Sequence, residues 1–198
     1  MTTKEKKIMD FIKNHNGIAK TSELNLLGVN VKILQKMVKS GNIERISTGL
    51  YLHPDFIEDE YYLTSYRVPK GIFSYESSLY LHNLSDENPT TITLTIPSGW
   101  NSPLLKDKKY TFHYLKKELW HLGKEFIKTP FGNEVPVYSK ERTISEMISK
   151  IDKLDRDLVL NSLKIGLKNN MLDIKELLDY AAIFKCQEIT RAYLEVIN

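Results

Sequence analysis

The chain has 198 residues, 41% hydrophobic and 10% aromatic, which supports one large domain or two modest ones and excludes wholesale disorder. No apolar run reaches the length of a membrane span, and the N-terminus MTTKEKKIMDF lacks the apolar stretch of a secretory signal. The single cysteine, Cys186, excludes an internal disulfide and a thiolate metal cluster, so a cytoplasmic location is expected. Net charge is only +3, but residues 1–53 hold nine Lys/Arg against four Asp/Glu. That local basic excess predicts a polyanionic partner for the first quarter of the chain.

Ile8, Phe11 and Ile12 repeat at helical spacing opposite Lys6, Lys7, Asp10 and Lys13, which predicts an amphipathic first helix. Gly17 ends it, and Ile18-Ala19 reads as a short strand. Thr21 is placed to cap a second helix with Leu24 and Leu27 facing inward, and Gly28 closes it. Asn30 then caps a third. In that helix Leu34, Met37 and Val38 face the core, leaving Val31, Lys32, Gln35, Lys36 and Lys39 outside. Gly41 stops it. Ile43–Ile46 and Leu50–Leu52 flank Ser47-Thr48-Gly49, a hairpin turn with glycine where a positive φ is needed.

Helix, helix, turn, helix and hairpin is the order of a winged helix-turn-helix over residues 1–54. Its third helix suits the DNA major groove, and its hairpin suits the adjoining backbone or minor groove. Candidate DNA contacts are Thr21, Asn30, Lys32, Gln35, Lys36, Lys39, Arg45, Ser47 and Thr48. Gln35 matches adenine N6 and N7. Lys32 and Lys36 match guanine or phosphate, and Arg45 and Thr48 match phosphate.

Residues 55–198 read as a second, mixed α/β domain. Asp55–Asp59 is expected to be an acidic bridge, Tyr61–Tyr66 a short aromatic helix, and Ser74 the cap of a helix over Tyr75–Leu81. Thr90–Ile96 alternates strictly, predicting a half-buried strand with its threonines on one face. Tyr110–Tyr114 should pair with it, and Phe126–Thr129 with Val135–Tyr138 should form a second hairpin. From Ser139 the period turns helical. Four apolar faces are expected: Ile144/Met147/Ile148/Ile151, Leu160/Leu163/Leu167, Ile174/Leu177/Leu178/Ala181 and Ile189/Ala192/Tyr193/Val196. The expected fold is α+β: a winged helix-turn-helix, then a small antiparallel sheet and a C-terminal helical bundle.

Catalytic motifs are absent. The five histidines lack metal-ligand spacing, so neither a metal nor another cofactor is expected. Asp152, Asp155 and Asp157 lie between two helices, where capping is the simplest role and two-metal chemistry the competing one. The chain is therefore read as a non-enzyme. Lys106, Lys108, Lys109, Lys116 and Lys117 belong to a second basic stretch offered as auxiliary DNA contacts.

GNIERISTGLYLHP, then GIFSYESSLYLHNLSDENPTTITLTIPSG, then SKERTISEM together resemble the AbiEi family of type IV antitoxins from bacterial abortive-infection loci, over nearly the whole chain. The resemblance implies a repressor that binds inverted repeats in double-stranded promoter DNA of its own operon. It further implies that the second domain opposes a nucleotidyltransferase-type toxin without forming a stable complex with it. A monomer that binds DNA cooperatively is expected, since no heptad or exposed apolar stripe demands a dimer. The competing reading is a winged-helix regulator that senses a small ligand and has no toxin partner.

Overall fold

The computed structural model describes residues 2–101 and 103–197, in a fold that mixes helices with sheet in the α+β manner. The chain divides into two compact units, Met1–Thr64 with Lys128–Asn133, and Ser65–Ile127 with Glu134–Asn198. The first thus runs past residue 54 and draws in a short distant segment. Among the described residues no helix is long and apolar enough to cross a membrane.

The first unit begins with α1 (Thr3–Asn14), opened by a capping box. The Thr2 hydroxyl accepts from the Glu5 amide at 3.3 Å, and the Glu5 carboxylate accepts from the Thr2 amide at 2.7 Å. Ile8 and Ile12 are buried beneath it. Gly17 has φ +80, and a Cβ there would lie 2.2 Å from the Phe56 ring, so both backbone and packing require glycine. β1 (Ile18–Lys20), α2 (Thr21–Leu26), α3 (Val31–Lys39), β2 (Glu44–Ser47) and β3 (Leu50–Leu52) follow. The strands form an antiparallel sheet in the order β1-β3-β2. Lys20, not Thr21, precedes the first turn of α2. Leu27, expected inside, is 48% exposed because α2 ends one residue before it, and Val29 enters the core instead.

Asp59 overturns the reading of residues 55–59 as a mere acidic bridge. It is wholly buried and accepts from the Thr129 hydroxyl at 2.6 Å, the Asn133 amide at 2.8 Å and the Tyr62 backbone at 3.0 Å. Asn16 also donates to the Gly132 carbonyl at 3.1 Å. These bonds explain why Lys128–Asn133 belongs to the first unit.

α4 (Glu60–Arg67) carries the chain across the division. The second unit holds β4 (Ile72–Phe73), α5 (Tyr75–Leu81), β5 (Ile92–Pro97), β6 (Tyr110–Leu115), α6 (Lys117–Trp120), β7 (Lys124–Lys128) and β8 (Glu134–Tyr138). Its sheet is not the small antiparallel one expected. The five strands run in the order β6-β5-β4-β8-β7, and the β5/β6 and β4/β8 pairs are parallel. Residues 98–109 supply the crossover that a parallel β5/β6 pair needs.

β5 is buried on both faces rather than half-buried. Its threonines are admitted to the interior because each finds a partner. Thr95 donates to the Ser74 hydroxyl at 2.9 Å, and Thr93 donates to the Glu76 carboxylate at 3.1 Å. Ser74 precedes α5 as expected, but its hydroxyl serves Thr95 and caps nothing.

The helical part comprises α7 (Lys140–Ile148), α8 (Arg156–Lys168), α9 (Ile174–Ile183) and α10 (Gln187–Ile197). Ile144, Met147, Ile148 and Ile151 are buried as expected. α8 instead buries Val159, Ser162, Leu163 and Gly166, a stripe rotated from the expected one, because Gly166 lets Leu172 and Leu84 approach closely. On α9, Leu177 and Ala181 are buried while Ile174 is largely exposed. α10 packs through Thr190 and Leu194, with Cys186 buried just before it, leaving Val196 84% exposed.

Candidate nucleic-acid interface

α3 is started by Asn30, whose side-chain oxygen accepts from the Lys32 amide at 2.9 Å. Leu34 and Met37 are fully buried, and this anchoring turns Val31, Lys32, Gln35, Lys36 and Lys39 outward. The β2/β3 hairpin turns at Gly49, φ +75, and its register shifts between Arg45 and Ser47. The shift adds local twist to the hairpin beside its tip. The Arg45 Nε donates to the Ser47 carbonyl at 3.4 Å.

A cleft of about 620 Å³ lies between α3, the start of α2 and the hairpin. It is lined by Thr21, Gln35, Lys39, Arg45 and Thr48 together with Val31, Val38, Gly49 and Tyr51. Five of the nine expected contact residues thus meet on one concave surface. Asn30, Lys32, Lys36 and Ser47 do not line it. The cleft adds Val31 to the candidates, while Tyr51, buried in the core opposite Arg45, forms its floor.

Charge around this surface is not evenly available. Lys36 Nζ donates to the Glu5 carboxylate at 3.1 Å, tying α3 to the start of α1. The Thr2 amide and the Lys36 ammonium hold the Glu5 carboxyl below the usual carboxylate range. Asn30 is likewise occupied as a cap. Among the described residues nothing engages the Gln35 amide or the Lys32 and Lys39 ammonium groups, which leaves three donors directed at solvent. A cleft with free amide and ammonium donors suits an anionic, hydrogen-bonding polymer.

The auxiliary lysines belong to the second unit and do not form one patch. Lys106, Lys108 and Lys109 precede β6, while Lys116 and Lys117 follow it. Six strand residues at roughly 3.3 Å each set the two groups about 20 Å apart. β6 is an edge strand that itself carries no lysine; the lysines flank its two ends.

Two further features of the second unit bear on chemistry. Asp155 caps α8, accepting from the Asp157 and Leu158 amides at 3.0 and 3.2 Å. The described residues contain no group of three or more His, Cys, Asp or Glu arranged to hold a metal ion. A second cleft, about 390 Å³, is lined by Glu76, Asn88, Thr93, Thr111, His113 and Leu158, among others. The His113 ring stacks on Tyr75 at 3.9 Å, and burial together with Lys150 pushes its pKa below the ordinary histidine value. Comparison with known protein families and with curated proteins finds no match to this chain, so the functional reading rests on the residues themselves.

Proposed function

We propose that the protein is a winged helix-turn-helix repressor that also serves as the antitoxin of a type IV toxin–antitoxin pair. α3 enters the major groove of inverted repeats in its own promoter, and the β2/β3 hairpin lies against the neighbouring phosphates. The observation that carries this reading is the cleft uniting Gln35 and Lys39 with Arg45 and Thr48. The basic excess of residues 1–53 supports it from the side of charge, and the AbiEi-like segments support the antitoxin role.

On this reading the second unit opposes a nucleotidyltransferase-type toxin without a stable complex and without catalysis, in the cytoplasm. The competing regulator reading finds its footing in the cleft beside His113. Glu76, Glu87, Asn88 and the threonines bring polar groups to that cleft, while apolar atoms, with Pro89, Leu154 and Leu158 among their sources, supply most of its exposed wall.

The test has two arms. Gln35→Ala with Lys39→Ala should abolish the band shift of the operon's promoter DNA at moderate salt, and unchanged affinity would contradict the DNA assignment. Co-expression with the toxin encoded beside the gene should restore growth. Continued growth arrest, with the chain shown to be folded, would sink the antitoxin role.

A further inference from the structure

The side chains directed outward from α3 are chemically unlike one another. Lys36 is engaged by Glu5, and Lys32 and Lys39 are flexible point charges that suit phosphate or guanine and offer nothing to adenine or thymine in particular. Gln35 is the one outward side chain on this helix that joins a donor to an acceptor. Val31 is the apolar one. It is 45% exposed, sits one turn before Gln35 on the same face, and lines the same cleft. α3 contains no arginine, the side chain that most often reads guanine through O6 and N7.

A β-branched residue in the first turn adds little helix propensity, and at this exposure Val31 leaves much of its apolar surface in water. What the major groove offers such a side chain is the C5-methyl of thymine; what it offers an amide is adenine N6 with N7. Building on the DNA-binding reading above, we infer that Val31 and Gln35 select a half-site containing A·T pairs. Val31 packs on a thymine methyl, and Gln35 pairs in bidentate fashion with an adenine. The two side chains are separated by about 6 Å along the helix axis, at roughly 1.5 Å per residue. Base pairs follow one another at about 3.4 Å, so the thymine and the adenine lie one or two steps apart.

The full chain is used to enrich binding sequences from a randomised DNA duplex library. In the enriched half-site each thymine is then replaced by dU, which removes only the methyl, and each adenine by its 7-deaza analogue, which removes only the N7 acceptor. One thymine position should weaken wild-type binding about fourfold on replacement, the worth of one buried carbon. That sensitivity should vanish in Val31→Ala. An adenine within two base pairs should weaken binding on the order of tenfold, and lose that sensitivity in Gln35→Ala. An enriched half-site without these positions, or sensitivities that persist in the variants, overturns the inference while DNA binding stands. A chain that enriches no sequence overturns the DNA-binding reading and this inference with it.

Discussion

Glu5 and Lys36 show how one ion pair fixes the placement of a helix. Glu5 is buried, bonded to the Thr2 amide and to Lys36 Nζ, and its carboxyl is held low. A carboxyl with a depressed folded pKa stabilises the fold fully above its unfolded value, near 4.5, and loses that contribution as pH falls through the folded pKa. Glu5→Gln should therefore flatten the loss of stability as pH falls below the ordinary carboxylate range, as read by denaturant unfolding at a series of pH values. An unaltered pH profile would show that the pair carries no linkage. The Thr2-x-x-Glu5 spacing makes the capping box legible in sequence. Lys36 as the second partner was not legible, because it lies a helix away and reaches Glu5 only through tertiary packing. Lys36, offered by the sequence as a DNA contact, gains an ion pair to Glu5 in the structure while its side chain stays 70% exposed.

At the scale of elements, α7 depends on a buried network. Arg142 is fully buried, donates to the Glu146 carboxylate at 3.1 Å and to the Leu119 and Leu122 carbonyls, and lies over the Tyr138 ring at 3.3 Å. Glu146 also accepts from the Tyr75 hydroxyl and from Lys150 Nζ, each at 2.9 Å. Burial alone would raise the Glu146 carboxyl, but Lys150 and Arg142 outweigh it and hold it low, while burial and Glu146 raise Tyr75. Arg142→Leu leaves the buried Glu146 carboxylate with Lys150 and Tyr75 only and deprives the Leu119 and Leu122 carbonyls of their donor, and should cost about 3 kcal/mol in equilibrium unfolding. A loss under about 1 kcal/mol would mean that Lys150 compensates alone.

The elements were unevenly legible. The positions of α5 and β5 are legible from a serine just before the helix and from strict alternation. The two-sided burial of β5 is not, since it depends on Ser74 and Glu76 meeting threonine hydroxyls. Of the expected α10 face Ile189/Ala192/Tyr193/Val196, only Tyr193 packs on the core, although that stripe is the more apolar one. The stripe that packs includes Thr190, whose hydroxyl is satisfied inside the helix by the Cys186 carbonyl at 2.8 Å.

At the scale of the molecule, the first unit is closed by a segment distant in sequence. Asp59 holds Thr129 and Asn133, so a fragment ending at residue 64 lacks the partners that satisfy a buried carboxylate. Asp59→Ala in the full chain should lower stability by about 3 kcal/mol, measured by urea unfolding, and a change within 0.5 kcal/mol would contradict this role. Local composition could not reveal this closure, since Pro130-Phe131-Gly132-Asn133 reads as an ordinary hairpin turn and Glu58-Asp59-Glu60 as a solvated linker. Helix order and hairpin position in residues 1–52 were legible because each rests on local periodicity, caps and glycines.

The central claim, that the α3 and hairpin surface binds duplex DNA, is tested most directly by the affinity of the full chain for its promoter DNA across a salt series. The expected log–log slope is on the order of −5 to −9, reduced by about 0.9 for each phosphate contact removed, as in Lys39→Ala and Arg45→Ala. A slope near zero, or one untouched by both substitutions, would contradict the claim.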